Sequence, residues 1–175
     1  GTVYTAFMEN TIRILEENGI TYECIRHPAV YTIAEMTGLH LPHTETVAKN
    51  LFLRDDKKRN YYLLTVRQDL HADLKKIRQF LACRPLGFAS EADLGHYLGL
   101  SAGEVTPLGL LNDAERKVTL IMDTYFRDGM IGVHPNTNTA TVFMKCSDLT
   151  DLIAKRGNRI IFMDAGSVCG SGPAL

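Results

Sequence analysis

Nothing in this sequence approaches the roughly 18 consecutive apolar residues of a membrane-spanning helix. The first ten residues also lack the basic start and apolar centre of a secretory signal, so a soluble, cytoplasmic protein is the expectation. No charge is in excess: 19 Lys and Arg face 20 Asp and Glu, a net charge of −1. A broad basic face for nucleic acid, DNA above all, is therefore not expected, while a local basic patch gripping one RNA end stays open. The four cysteines, Cys24, Cys83, Cys146 and Cys169, form no CxxC pair and no zinc-ribbon spacing, which reads as free thiols in a reducing compartment. GxSxG, HExxH and GxxxxGK[ST] are all missing. His40 and His43 have metal-like spacing, but they flank Pro42 in a loop without grouped Cys or Asp ligands. No metal and no cofactor is expected.

What is present suffices for a core. Hydrophobic residues make up 45 % of the 175-residue chain and charged residues 22 %, within the range of one ordinary folded domain. Residues 1–164 are expected to form it, and the small, Gly/Ser-rich residues 165–175 to be a disordered tail. Tyr4, Phe7, Met8, Ile12 and Leu15 recur at helical spacing up to Gly19. Residues 22–26 read as a short strand halted by His27-Pro28, and 33–37 as one or two helical turns closed by Gly38. Two apolar runs, 50–54 and 60–66, flank a charged turn and predict a hairpin. Residues 72–81 predict a helix, and Ser90 with Asp93 a capping box opening another. Strands are expected at 117–123, 130–133, 140–145 and 159–163, with a helix capped by Ser147 between the last two. Strict βαβ alternation is absent, so the fold class is α+β with a mixed sheet.

Three places could carry chemistry, and each has an ordinary alternative. Lys49-Asn50 stands where a polar loop enters an apolar strand. It is either a solvated strand start or a cation at the mouth of an apolar pocket, where partial desolvation strengthens its pull on an anion or a polarised carbonyl. Asn50 could orient a water or an amine. The stretch Gly103-Glu104-Val105-Thr106-Pro107 is either a plain connection or a loop whose bare glycine lets N–H groups approach a ligand. Gly132-Val133-His134-Pro135 puts a histidine at a strand end, either structural or lining a cleft. The basic clusters Lys57-Lys58-Arg59 and Lys155-Arg156 read as solvated surface or RNA phosphate contacts.

Taken in order, Lys49-Asn50, the GxxxP loop 103–107 and the Gly-Val-His-Pro strand end resemble the YbaK/prolyl-tRNA synthetase-associated editing domain family. The likeness runs from the first helix to Asp164. Asn after the lysine and the Gly-Val-His-Pro element resemble the family's free-standing, alanine-specific branch. The resemblance implies a mixed, curved, partly barrel-like sheet flanked by helices. It also implies hydrolysis of the ester joining alanine to the 3′ end of mischarged proline tRNA, with that acceptor end as partner and prolyl-tRNA synthetase as a further one. Carried over, Lys49, Asn50 and His134 are the catalytic candidates. Gly103, Val105, Thr106, Pro107 and Gly132 are the substrate-binding ones. His27-Pro28 and residues 33–36 resemble elements beside the site.

No Ser or Cys nucleophile with a base and an orienting partner is evident, so attack by a positioned water is expected. Deacylation of cysteine or serine, a non-catalytic tRNA- or synthetase-binding module, and a small-molecule hydrolase of free aminoacyl esters remain the rival readings.

Overall fold

The computed structural model describes residues 2–170, with 2–7 described by their backbone alone. Helix α1 (Thr2–Glu17) leads through a left-handed Gly19 into strand β1 (Tyr22–Arg26). Helix α2 (Ile33–Gly38) is opened by Thr32, whose hydroxyl accepts from Glu35 N–H. Gly38, expected to end this helix with its own turn, stays helical, and the left-handed residue is His40 at φ 52°. The predicted hairpin is β2 (Lys49–Asp55) and β3 (Tyr61–Val66), paired antiparallel with Lys49 opposite Val66. Buried Asp55 closes its turn by accepting from Arg59 N–H and the Asn60 amide.

Helix α3 (Leu74–Leu81) is capped by Asp73, and β4 (Leu86–Phe88) follows. Helix α4 (Glu91–Leu98) carries the predicted capping box of Ser90 and Asp93 in both directions and ends at left-handed Gly99. Strands β5 (Val118–Asp123), β6 (Met130–Val133) and β7 (Ala140–Lys145) precede α5 (Cys146–Lys155), and β8 (Ile160–Met163) closes the sheet. Ser147 does not cap α5: strand β7 runs straight into it, with Lys145 at the cap position. Gly129 C=O, accepting from Cys146 N–H, meets an otherwise orphaned donor there.

The fold is α+β, and its mixed sheet is divided in two. One sheet has the order β4-β2-β3-β5-β8, with parallel β3–β5 and β5–β8 pairs; the other is antiparallel, β1-β7-β6. They meet at one parallel bridge, Val47 with Gly132, where Ala48 N–H donates to Gly132 C=O at 3.1 Å. Strand alternation sorts the side chains into layers. Leu63, Leu120, Val142 and Met144 fill the main core between the sheets. Leu64, Val66 and Ile121 face the second layer, which includes Ile77 of α3. Phe143 turns the other way, into a small cluster with Val30, Met36 and Val47.

The expected irregular tail starts too early at residue 165. Residues Ala165–Cys169 form helix α6, capped by Asp164, with Ala165 and Cys169 buried in the second layer. Residues 171–175 of that tail lie outside the described residues.

Gly132 makes the bridge feasible. A Cβ there would lie 2.8 Å from Phe143 Cε1 and 3.1 Å from Val47 Cγ2. Gly132→Ala is expected to destabilise the protein by about 1–3 kcal/mol through overpacking, read as a lower urea midpoint at unchanged slope.

Candidate active site

The seam between the sheets opens into a cleft of ≈ 320 Å³. Four segments wall it: Val30 to Ile33 with Met36 of α2, the start of β2 from Val47 to Leu51, the 103–105 loop, and His134 at the end of β6. Five of the eight residues singled out in the sequence converge here: Lys49, Asn50, Gly103, Val105 and His134.

Lys49 is held at the mouth. Its ammonium donates to Leu70 C=O at 2.6 Å, which leaves two of its three N–H donors for other partners. Desolvation lowers its pKa below the ordinary lysine value. Asn50 is anchored from the sheet, its Oδ1 accepting from the buried Thr65 hydroxyl at 2.7 Å. That commits the oxygen and leaves the amide N–H pair as the group it can offer.

His134 donates from Nδ1 to Ala140 C=O at 2.9 Å. A carbonyl oxygen can only accept, so the proton of the neutral ring sits on Nδ1 and Nε2 carries the lone pair. Desolvation pushes its pKa below 6.5, the Ala140 bond opposes this, and the nearby His27 lowers it further. His27 lies 6.2 Å away between ring centroids and is itself bound to Pro28 C=O and the Thr141 hydroxyl.

The GxxxP loop turns at Gly103, φ +86°, where Glu104 N–H closes back onto Ser101 C=O. Among the described residues, the N–H groups of Gly103 and Val105 have no acceptor, and both residues line the cleft.

Thr106, Pro107 and Gly132, predicted as substrate contacts, do not line the cleft. Thr106 is fully buried and bridges two segments: its hydroxyl donates to His134 C=O at 2.6 Å and accepts from Leu108 N–H at 3.3 Å. Pro107 starts the buried 3-10 turn Pro107–Asn112, and Gly132 sits in the sheet junction. These three shape the site from behind. Conversely, sequence reasoning did not single out Val30, Tyr31, Val47 or Leu51, all of which line it. The Val30-Tyr31-Thr32 stretch beside His27-Pro28 was the available signal, and it carries no chemistry on its face. His43, half of the metal-like pair, packs edge-on against Phe143.

A cation, an amide, a neutral histidine and free backbone donors around an apolar cleft define a site for a small polar group carrying an apolar tail. The aminoacyl-tRNA editing domain family matches residues 27–152. The Prolyl-tRNA editing protein ProX of Acetoanaerobium sticklandii is 39 % identical over 145 residues, 82 % of this chain and 88 % of that protein. The Prolyl-tRNA synthetase associated domain-containing protein 1 of Danio rerio is 40 % identical over 139 residues, 77 % of this chain and 74 % of that one. A solved candidate trans-editing enzyme for prolyl tRNA synthetase has the same fold, with TM-score 0.68 at 19 % identity over 89 % of this chain and 95 % of that one. This chain therefore belongs to the aminoacyl-tRNA editing domain family. Its class is that of a deacylase, an enzyme that hydrolyses an aminoacyl-tRNA ester.

A histidine whose folded pKa is depressed binds fewer protons folded than unfolded, so stability falls with pH from about 6.5 down to the folded pKa. Between pH 7 and pH 5 the wild type is expected to lose more stability than His134→Gln. Urea melts at both pH values check this, and an NMR titration should put His134 below 6.5.

Proposed function

We propose that this protein is a deacylase that removes alanine from mischarged proline tRNA in the cytoplasm. One observation carries the reading: Lys49, Asn50, Gly103, Val105 and His134, from three separate segments, meet in one cleft of ≈ 320 Å³ whose remaining wall is mainly apolar. That volume is at the small end for ligand sites. Val30, Ile33, Met36, Val47 and Leu51 supply the apolar wall.

The need for such an enzyme is steric. A synthetase pocket shaped for proline cannot keep out the smaller alanine, because a missing methylene is worth only about 1–3 kcal/mol. A second pocket that fits alanine and clashes with proline supplies the rest. In the chemical step, a water oxygen attacks the ester carbonyl carbon. The bond to the ribose oxygen breaks, that oxygen takes up a proton, and free alanine leaves. The N–H groups of Gly103 and Val105 stabilise the oxyanion that forms. Lys49 binds the terminal phosphate or the aminoacyl group, and Asn50 donates to the ester. Neutral His134 accepts at Nε2, positioning the substrate. The neighbouring ribose hydroxyl assists. Direct water attack suits the hydroxyls present: Thr32 Oγ1, on the cleft wall, is engaged as the α2 cap. Prolyl-tRNA synthetase is a natural further partner, since it produces the mischarged tRNA.

Release of amino acid from alanyl-, prolyl- and cysteinyl-tRNA(Pro) tests the reading. Alanine alone is expected to be released. Lys49→Ala should lower kcat/KM by about 100-fold, the upper range for a lost charge-assisted hydrogen bond, while cooperative unfolding is retained. Release of cysteine instead would assign a different amino acid to the same site, and release of none would overturn the deacylase reading.

A further inference from the structure

Among the described residues, five large hydrophobic side chains are exposed: Tyr31, Phe80, Phe88, Tyr125 and Met130. Tyr31 alone of these lines the cleft, and it is 66 % exposed. Its position is fixed from several sides. Val30 N–H donates to Asn138 C=O, and Tyr31 N–H donates to the Glu35 carboxylate at 2.9 Å. The ring lies against the Gly103 backbone so closely that a Cβ on Gly103 would sit 2.5 Å from Tyr31 Cδ1. The Cδ1–Cε1 edge of the ring thus rests on the 103–105 loop, and the side chain remains largely open to solvent at the cleft mouth.

We infer that Tyr31 is a stacking platform for the terminal nucleobase of the RNA. The inference rests on the deacylase reading and adds a contact to it. If the ester lies at the Gly103 and Val105 N–H groups, the base is one ribose away. A cleft of ≈ 320 Å³ that takes the aminoacyl group and the sugar leaves the base at the rim, where Tyr31 stands. A flat aromatic whose backbone is tied down before binding loses little entropy on stacking. Gly103 then serves two contacts: its N–H faces the ester, and its missing Cβ seats the ring beneath the base.

The test uses a short acceptor-stem hairpin carrying alanine through a hydrolysis-resistant 3′ amide, made with a normal or an abasic terminal ribose. Wild-type protein is expected to bind the normal hairpin roughly 5- to 150-fold tighter than the abasic one, the range of a single base–aromatic stack. Tyr31→Ala should lose that preference while binding the abasic hairpin as wild type does, and Tyr31→Phe should keep it. Equal weakening of both hairpins by Tyr31→Ala would overturn the inference in favour of a purely structural ring, as would wild-type indifference to the missing base. Because binding is read without turnover, a protein that prefers the normal hairpin yet hydrolyses no ester would sink the deacylase reading and leave the stack standing.

Discussion

The contact on which everything else leans is the bridge between Val47 and Gly132. Two sheets with separate strand orders meet there, and Ala48 N–H on Gly132 C=O sets how far apart their ends stand. Lys49 follows one partner of the bridge by two residues and Asn50 by three, and His134 follows the other by two. Side chains that project from neighbouring backbone in regular strands inherit its precision. The site needs no long flexible arm to bring its cation, amide and imidazole together.

Around that seam, electrostatics follow from dryness. The apolar cleft wall makes charge expensive, so the imidazole stays neutral and the ammonium is held less firmly to its proton than in water. Each polar group is tied to a backbone carbonyl or a hydroxyl on its far side: Lys49 to Leu70, Asn50 to Thr65, His134 to Ala140. These tethers decide which atom is presented to a ligand. For Asn50 it is the amide N–H pair, and for His134 the lone pair of Nε2.

Much of this was readable from residue order, and the boundary is physical. Ser90 and Asp93 announced their helix because a capping box is a contact across three residues. The β2–β3 hairpin announced itself through two apolar runs and a charged turn. Lys49, Asn50, the GxxxP loop and His134 stood out as types able to do chemistry. The division of the sheet, helix α6 and the packing of Tyr31 on Gly103 did not. Each depends on partners remote in sequence: Val47 on Gly132, Ala165 on Asp123, residue 31 on residue 103. Periodicity and spacing report local order and say nothing of which distant segment arrives alongside.

Thr106 carries a lesson about how such sites are mapped. Its one hydroxyl uses its proton on the His134 carbonyl and a lone pair on Leu108 N–H, riveting the glycine loop to the histidine strand. Replacing it would disturb two cleft walls at once although its side chain is buried behind them. A survey that ranks positions by lost turnover would place it among the binding residues. In a seam-built site, intolerance to substitution measures mechanical coupling as much as contact, and only solvent exposure tells the two apart.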